Sequence, residues 1–175
     1  LVFFLAAALL SLERICYVWV WRFPESFRAV CRGALGSVLG EPVDALRRVF
    51  YGFKSLQLLV FVGWCYIYGN GSVWPASSGL LPPLTGLLLI AIGQVFNLGV
   101  FVQLGNKGVF YGNRFGFEIP WNESFPFSVL KHPQYVGAVL SIWGFFIAMR
   151  FPRADWFLIP VLETVYYLLG AHFEQ

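Results

Sequence analysis

His132-Pro133-Gln134-Tyr135-Val136-Gly137 places an imidazole, a phenol and a glycine at the start of an apolar run. Pro133 suits the first position of a helix, where its missing N–H costs nothing. The unspent N–H groups of that first turn would then lie beside His132 and Tyr135, an arrangement that can receive a carboxylate or a phosphate. There His132 can bond or orient a ligand, Tyr135 can stack on it or donate a hydrogen bond, and Gly137 leaves it room. A lone interfacial histidine is more often structural than catalytic, so this element needs support from elsewhere in the chain.

Three further groups of residues offer it. Gly105, Gly108, Gly112 and Gly116 recur at offsets of three, four and four. On a helix they would form one strip for close packing in a membrane; as turn residues they would admit positive φ and a close backbone approach to a ligand. Gln94 and Asn97 lie three apart on one helical face, where burial demands hydrogen-bond partners or a polar cavity. Among the acids, Glu174 ends the last apolar run and is placed to meet the His132 element, whereas Glu163 lies about three turns earlier inside the run. Glu13 and Arg14 interrupt the first apolar run and read as an ion pair packed against other helices. Cys16, Cys31 and Cys65 have no metal-ligand spacing and read as packing residues, so no metal is expected.

These residues must be held by a membrane. Of 175 residues, 58% are hydrophobic and 12% charged, and the mean hydropathy is +0.69, which excludes an ordinary soluble domain. A net charge of +3 gives no reason to expect nucleic acid. The spacing predicts an all-α, polytopic membrane helical bundle of about five helices, forming a single domain over 1–175. Its spans are Leu1 to Trp21, Ala45 to Tyr68 and Leu84 to Leu104, each long enough to cross a bilayer core of roughly 30 Å. A C-terminal helical hairpin follows, from Gln134 to Ala148 and from Trp156 to Leu169, turned near Pro152. Between the first two spans, Arg22 to Asp44 reads as an extramembrane connector with a short interfacial helix, and Glu41-Pro42-Val43-Asp44 as the start of the next helix. Gly69 to Pro83 is a short loop on the opposite face. Arg22, Arg28, Arg32, Arg47, Arg48, Lys54, Lys107, Arg114 and Lys131 outnumber Arg150 and Arg153, so the connector, the 105–131 region and the C-terminus face the cytoplasm. The chain opens at Leu1 without an initiator methionine, as a fragment or processed form would.

LGNKGVFYGNRFGFEIPWNESFPFSVLKHPQYVG, from Leu104 to Gly137, resembles the phospholipid N-methyltransferases, most of all their plant and algal branch. The order of glycine motif, Phe-Pro-Phe, His-Pro-x-Tyr-x-Gly, hydrophobic hairpin and terminal acid matches theirs, and a looser likeness extends back through Gln94 and Asn97. The resemblance implies methyl transfer from S-adenosylmethionine to the amine of an ethanolamine phospholipid, toward phosphatidylcholine; the expected membrane is that of the endoplasmic reticulum, with a mitochondrial or other organelle membrane as the alternative. It makes 105–175 the cofactor-binding and catalytic half, with Gly105, Gly108, Gly112, His132, Tyr135, Gly137 and Glu174 at the cofactor. The family carries a second acid after the first; here Gln175 follows Glu174. The related isoprenylcysteine carboxyl methyltransferases share His-Pro-x-Tyr-x-Gly, which favours a cofactor role for His132 and Tyr135.

A methyl sulfonium is already activated, so such an enzyme mainly aligns an amine behind the methyl group and excludes water. Tyr111, Phe115, Phe125, Phe127 and Tyr135 offer aromatic faces to its cations. Arg114 and Lys131 are available for the lipid phosphate, and His132 or Glu174 for the amine proton. Two alternatives stand beside this expectation: methylation of another membrane substrate such as prenylcysteine, and service as a structural subunit of a larger membrane assembly.

Overall fold

The computed structural model describes residues 1–173 apart from 34–37, 39, 76–78, 121 and 151–152. Its helices are α1 (Val2–Arg22), α2 (Pro24–Arg32), α3 (Pro42–Tyr68), α4 (Leu81–Val109), α5 (Pro133–Ala148) and α6 (Leu158–Phe173), with 3₁₀ turns at Gly112–Phe115 and Ala154–Phe157. No strand occurs among the described residues. α2, α3, α4 and α5 each carry proline in the first turn, where the ring presets φ and no backbone bond is lost. α1, α3, α4 with its following turn, and Ala154–Phe173 are long and apolar enough to cross a membrane, and α5 is apolar but shorter. The chain is an integral membrane protein. Its last apolar segment runs to 20 residues, longer than the Trp156 to Leu169 expected, because the 3₁₀ turn adds to it at the front and Gly170, Ala171 and His172 keep the helical path.

Side-chain contacts fix the directions. Phe3 meets Trp64 while Glu13 meets Lys54, so α1 and α3 are antiparallel. Gln57 meets Glu163 and Trp64 meets Asp155, which makes α3 and α6 antiparallel as well. Tyr135 meets Tyr167 and Trp143 meets Thr164, so α5 also opposes α6. The start of α5 and the end of α6 therefore share one end of the bundle with the connector, as the basic residues require. α2 lies across that end and buries Phe27 and Cys31.

The closest helix contact is between α4 and α5. A Cβ on Gly137 would stand 2.6 Å from the Gly93 carbonyl oxygen, and one on Gly144 would stand 2.5 Å from that of Gly86. Antiparallel backbones thus touch at two points seven residues apart, with Ser141 and Ala148 as the small residues between and beyond. Of the two uses open to Gly105, Gly108, Gly112 and Gly116, the helical strip does not form. Gly105 has φ +59° and kinks α4, Gly116 has φ +86°, and the helix stops at Val109. These two positions use glycine's conformational freedom instead.

Two apolar clusters fill the bundle. Ala6, Leu10, Phe61, Trp64, Ile142, Phe146 and Ile159 pack toward one end, and Val20, Phe27, Val43, Leu46, Val100 and Phe110 toward the other. Between them, Glu13, Arg14, Gln57 and Glu163 are buried polar residues.

Gly93→Leu should force α4 and α5 apart, since the bulk meets backbone rather than a movable side chain, at a cost of about 1–3 kcal/mol or more. Thermal unfolding in detergent micelles checks this; Gly52→Leu, where nothing lies within 4 Å, is the control and should leave the midpoint near wild type.

Candidate active site

The gap between the clusters is a cavity of about 610 Å³. α1, α3, α4, α5 and α6 all contribute to its wall, as does the segment around Tyr111. α3 and α4 touch only briefly. Tyr51 and Leu58 of α3 and Gln94 of α4 line the cavity and are themselves exposed, so it opens sideways between these helices. Exposed Lys131 marks a second opening at the His132 end.

One wall is a ladder of rings. His132 precedes α5, and its imidazole stacks on Tyr135 with centroids 6.0 Å apart and planes 18° apart. Tyr135 meets the Tyr167 ring edge-to-face at 5.6 Å, and the Arg14 guanidinium covers Tyr167 at 3.9 Å. Opposite, Gln94 Nε2 donates to Ser141 Oγ at 2.9 Å, and that hydroxyl donates to the Gly137 carbonyl at 2.9 Å. His132 Nε2 and Asn97 Oδ1 are buried without a hydrogen-bond partner. Buried polar atoms in native proteins are overwhelmingly paired, so two unpaired ones on residues lining one cavity suit a polar ligand.

The floor is ionic. Lys54 Nζ lies 2.8 Å from Glu13 Oε1 and donates to Glu13 Oε2 at 3.0 Å, Gln57 Oε1 at 3.1 Å and the Tyr167 hydroxyl at 3.1 Å. Glu13 also holds Arg14 Nη2 at 3.0 Å, and Gln57 Nε2 donates to Glu163 Oε1 at 2.8 Å. Two cations and two acids thus join α1, α3 and α6. Such groups are costly in a membrane unless they satisfy one another.

The expected residues separate on this frame. Gly108, Lys131, His132 and Tyr135 line the cavity, as do Gln94, Asn97, Tyr111 and Phe127. Gly105 supplies the kink just before Gly108, and Gly112 opens the 3₁₀ turn, where a Cβ would stand 2.5 Å from the Lys107 carbonyl oxygen. Gly137 serves the α4 contact. Arg114 stacks on Trp21 at 3.8 Å and accepts from Arg28 through its carbonyl, away from the cavity wall. Phe115 packs on Phe27, and Phe125 stacks on Phe96. Glu174 lies outside the described residues.

The model of the phospholipid methyltransferase family matches residues 82–175. Phosphatidyl-N-methylethanolamine N-methyltransferase of Arabidopsis thaliana is 35% identical over 127 residues, which are 72% of this chain and 67% of that protein. The chain belongs to the phospholipid methyltransferase family. Phosphatidylethanolamine N-methyltransferase of Rattus norvegicus is 35% identical over 51% of the chain and 45% of its own length. Phosphatidyl-N-methylethanolamine N-methyltransferase of Schizosaccharomyces pombe is 29% identical over 62% and 57%. The chain therefore spans two thirds of the Arabidopsis relative and less than half of the rat one. No solved structure matches it.

The matched region supplies α4, α5 and α6, whereas Glu13, Arg14, Lys54 and Gln57 come from helices before it. Sequence reasoning treated Lys54 as an interfacial charge and passed over Gln57 and Tyr167. The missed signal was depth: Lys54 falls nearly two turns beyond Arg47 and Arg48, inside the apolar run, with Gln57 three residues on.

Lys54→Met should destabilise the protein by about 3–5 kcal/mol, because Glu13, Gln57 and Tyr167 lose a shared donor in a desolvated setting. Lys54→Met combined with Glu13→Gln should cost less than the sum of the two, with a coupling of about 0.5–3 kcal/mol. Detergent unfolding of the four proteins measures it, and additivity would show that the ion pair carries no energy.

Proposed function

We propose that this chain transfers a methyl group from S-adenosylmethionine to the amine of an ethanolamine phospholipid. The observation that carries the reading is a cavity with two openings, one at the polar His132 end and one between α3 and α4 toward lipid. A water-soluble donor and a bilayer-held acceptor need separate ways into one space, and family membership states the chemistry they share. The residues present fit the donor. Unpaired His132 Nε2 and Asn97 Oδ1 can bond a nucleoside, Gly108 lines the same cavity, and the Tyr135 ring offers a face to a sulfonium.

S-Adenosylmethionine supplies an activated methyl group when bound. The protein's task is then positioning and exclusion of water. Tyr135 favours a cationic group in the cavity, and Lys131 at the rim is placed for the lipid phosphate. His132 and Glu174 remain the groups assigned to the amine proton, whose loss must precede or accompany attack. Gly105 and Gly112 act by shaping the turn that carries Gly108 and Tyr111, and Gly137 by setting the α4–α5 distance. Arg114, held on Trp21, would reach a lipid headgroup only by leaving that ring.

Purified protein given labelled S-adenosylmethionine should label phosphatidylethanolamine or its monomethyl form. Label entering prenylcysteine alone would reject the reading. His132→Ala and Gly108→Leu should each weaken S-adenosylmethionine binding by about tenfold, roughly the loss of one hydrogen bond or a small steric block. Calorimetry showing wild-type affinity in both would remove these residues from the donor site.

A further inference from the structure

Two donors in the cavity wall have nothing to donate to. Arg14 Nε and the Tyr17 hydroxyl are buried and make no hydrogen bond. Both residues line the cavity, and each is only 9% exposed. They stand one turn apart on α1, with the guanidinium carbon 5.6 Å from the Tyr17 ring centre. Glu13 holds Arg14 at Nη2, and Tyr167 supports the guanidinium face at 3.9 Å. The group is therefore fixed by contacts that leave Nε unspent.

A single buried donor without an acceptor is a local cost. Two of them, adjacent and facing one cavity inside a membrane, lack the same kind of partner: an oxygen that accepts hydrogen bonds. An anionic oxygen fits best, since guanidinium bonds to carboxylate and phosphate are the strong ones. The surrounding charge narrows the ligand further. Arg14 and Lys54 are balanced by Glu13 and Glu163, so a bare anion would leave the floor net negative, whereas a ligand carrying its own cation would not. Glu13, 3.0 Å from Arg14, stands where that cation would find a counter-charge.

We propose that Arg14 and Tyr17 form an oxyanion subsite for the anionic end of a zwitterionic ligand whose ammonium end faces Glu13. The proposal rests on the methyl-transfer reading, in which two ligands have this chemistry: the amino-acid end of S-adenosylmethionine, with its carboxylate, and the phosphoethanolamine headgroup, with its phosphate.

Tyr17→Phe removes only a hydroxyl that bonds to nothing in the protein, so it tests the site even where Arg14→Gln disturbs folding. Calorimetry on the full chain with S-adenosylmethionine and its decarboxylated analogue, and initial rates on phosphatidylethanolamine in mixed micelles, separate the two sources. If the site takes the carboxylate, Tyr17→Phe should weaken S-adenosylmethionine binding about tenfold and leave the decarboxylated analogue unchanged. If it takes the phosphate, donor binding should stay as in wild type while KM for the lipid rises about tenfold. Either result supports the subsite. A wild-type protein that binds donor and methylates lipid, with Tyr17→Phe and folded Arg14→Gln both within twofold on every measure, overturns the subsite alone. A wild-type protein that does neither overturns the methyl-transfer reading and this proposal with it.

Discussion

The contact of α4 with α5, backbone against backbone at Gly93–Gly137 and Gly86–Gly144, is the constraint on which the site depends. In lipid no hydrophobic force drives helices together, because the tails are as apolar as the side chains. Association rests on close packing and interhelical hydrogen bonds. Glycine at the crossing gives both: the helices approach until carbonyl oxygens meet the opposite backbone, and the Gln94 to Ser141 bond closes between them. This distance brings Asn97 against Gly137 and holds α4 beside the start of α5, with the Gly105 kink and Gly108 continuing toward the same end. A wider crossing would part the two walls that carry the unpaired polar atoms.

A second constraint works from the other side. The ionic floor joins α1, α3 and α6, and its members cannot leave for solvent. Lys54 serves three partners at once, and Gln57 is oriented by giving its oxygen to Lys54 and its amide nitrogen to Glu163. Exchange of any member leaves a buried charge or polar group unmet, so the network selects one rotation for each helix about its own axis. Glycine contact fixes the α4–α5 pair, the ions fix the other three helices, and Tyr135 against Tyr167 links the two units. The cavity is what remains where α3 and α4 are not drawn together.

Much of this was legible in the sequence, and the failures share a cause. Hydropathy gave the spans, composition gave the short helix α2 between the first two, and Pro42 with Asp44 marked the start of α3. His132, Tyr135, Gly108 and Lys131 do line one cavity, as does the Gln94 and Asn97 pair. The glycines of 105–116 left two readings open because two uses of the residue look alike in a string of letters. Gly105 and Gly116 serve positive φ, while the packing pattern was the sevenfold spacing of Gly86 with Gly93 and of Gly137 with Gly144. Arg114 read as free for a phosphate because no local pattern shows that Trp21, far away in sequence, will cover it. The polar floor was only partly visible, since Glu13, Lys54 and Tyr167 meet through tertiary contacts alone.

The division of labour between these parts follows from the charges that a methyl transfer brings together. A sulfonium and an ammonium are both cations, and a cavity rich in acids would bind them while also holding the ammonium proton in place. Here the acids are few and engaged: Glu13 is shared between Arg14 and Lys54, and Glu163 accepts from Gln57. The faces left for cations are rings, whose attraction depends on charge and not on an N–H to be donated. An aromatic wall over a paired floor can hold the sulfonium, which has no proton to lose, and it opposes deprotonation of the amine less than a lining of free acids would.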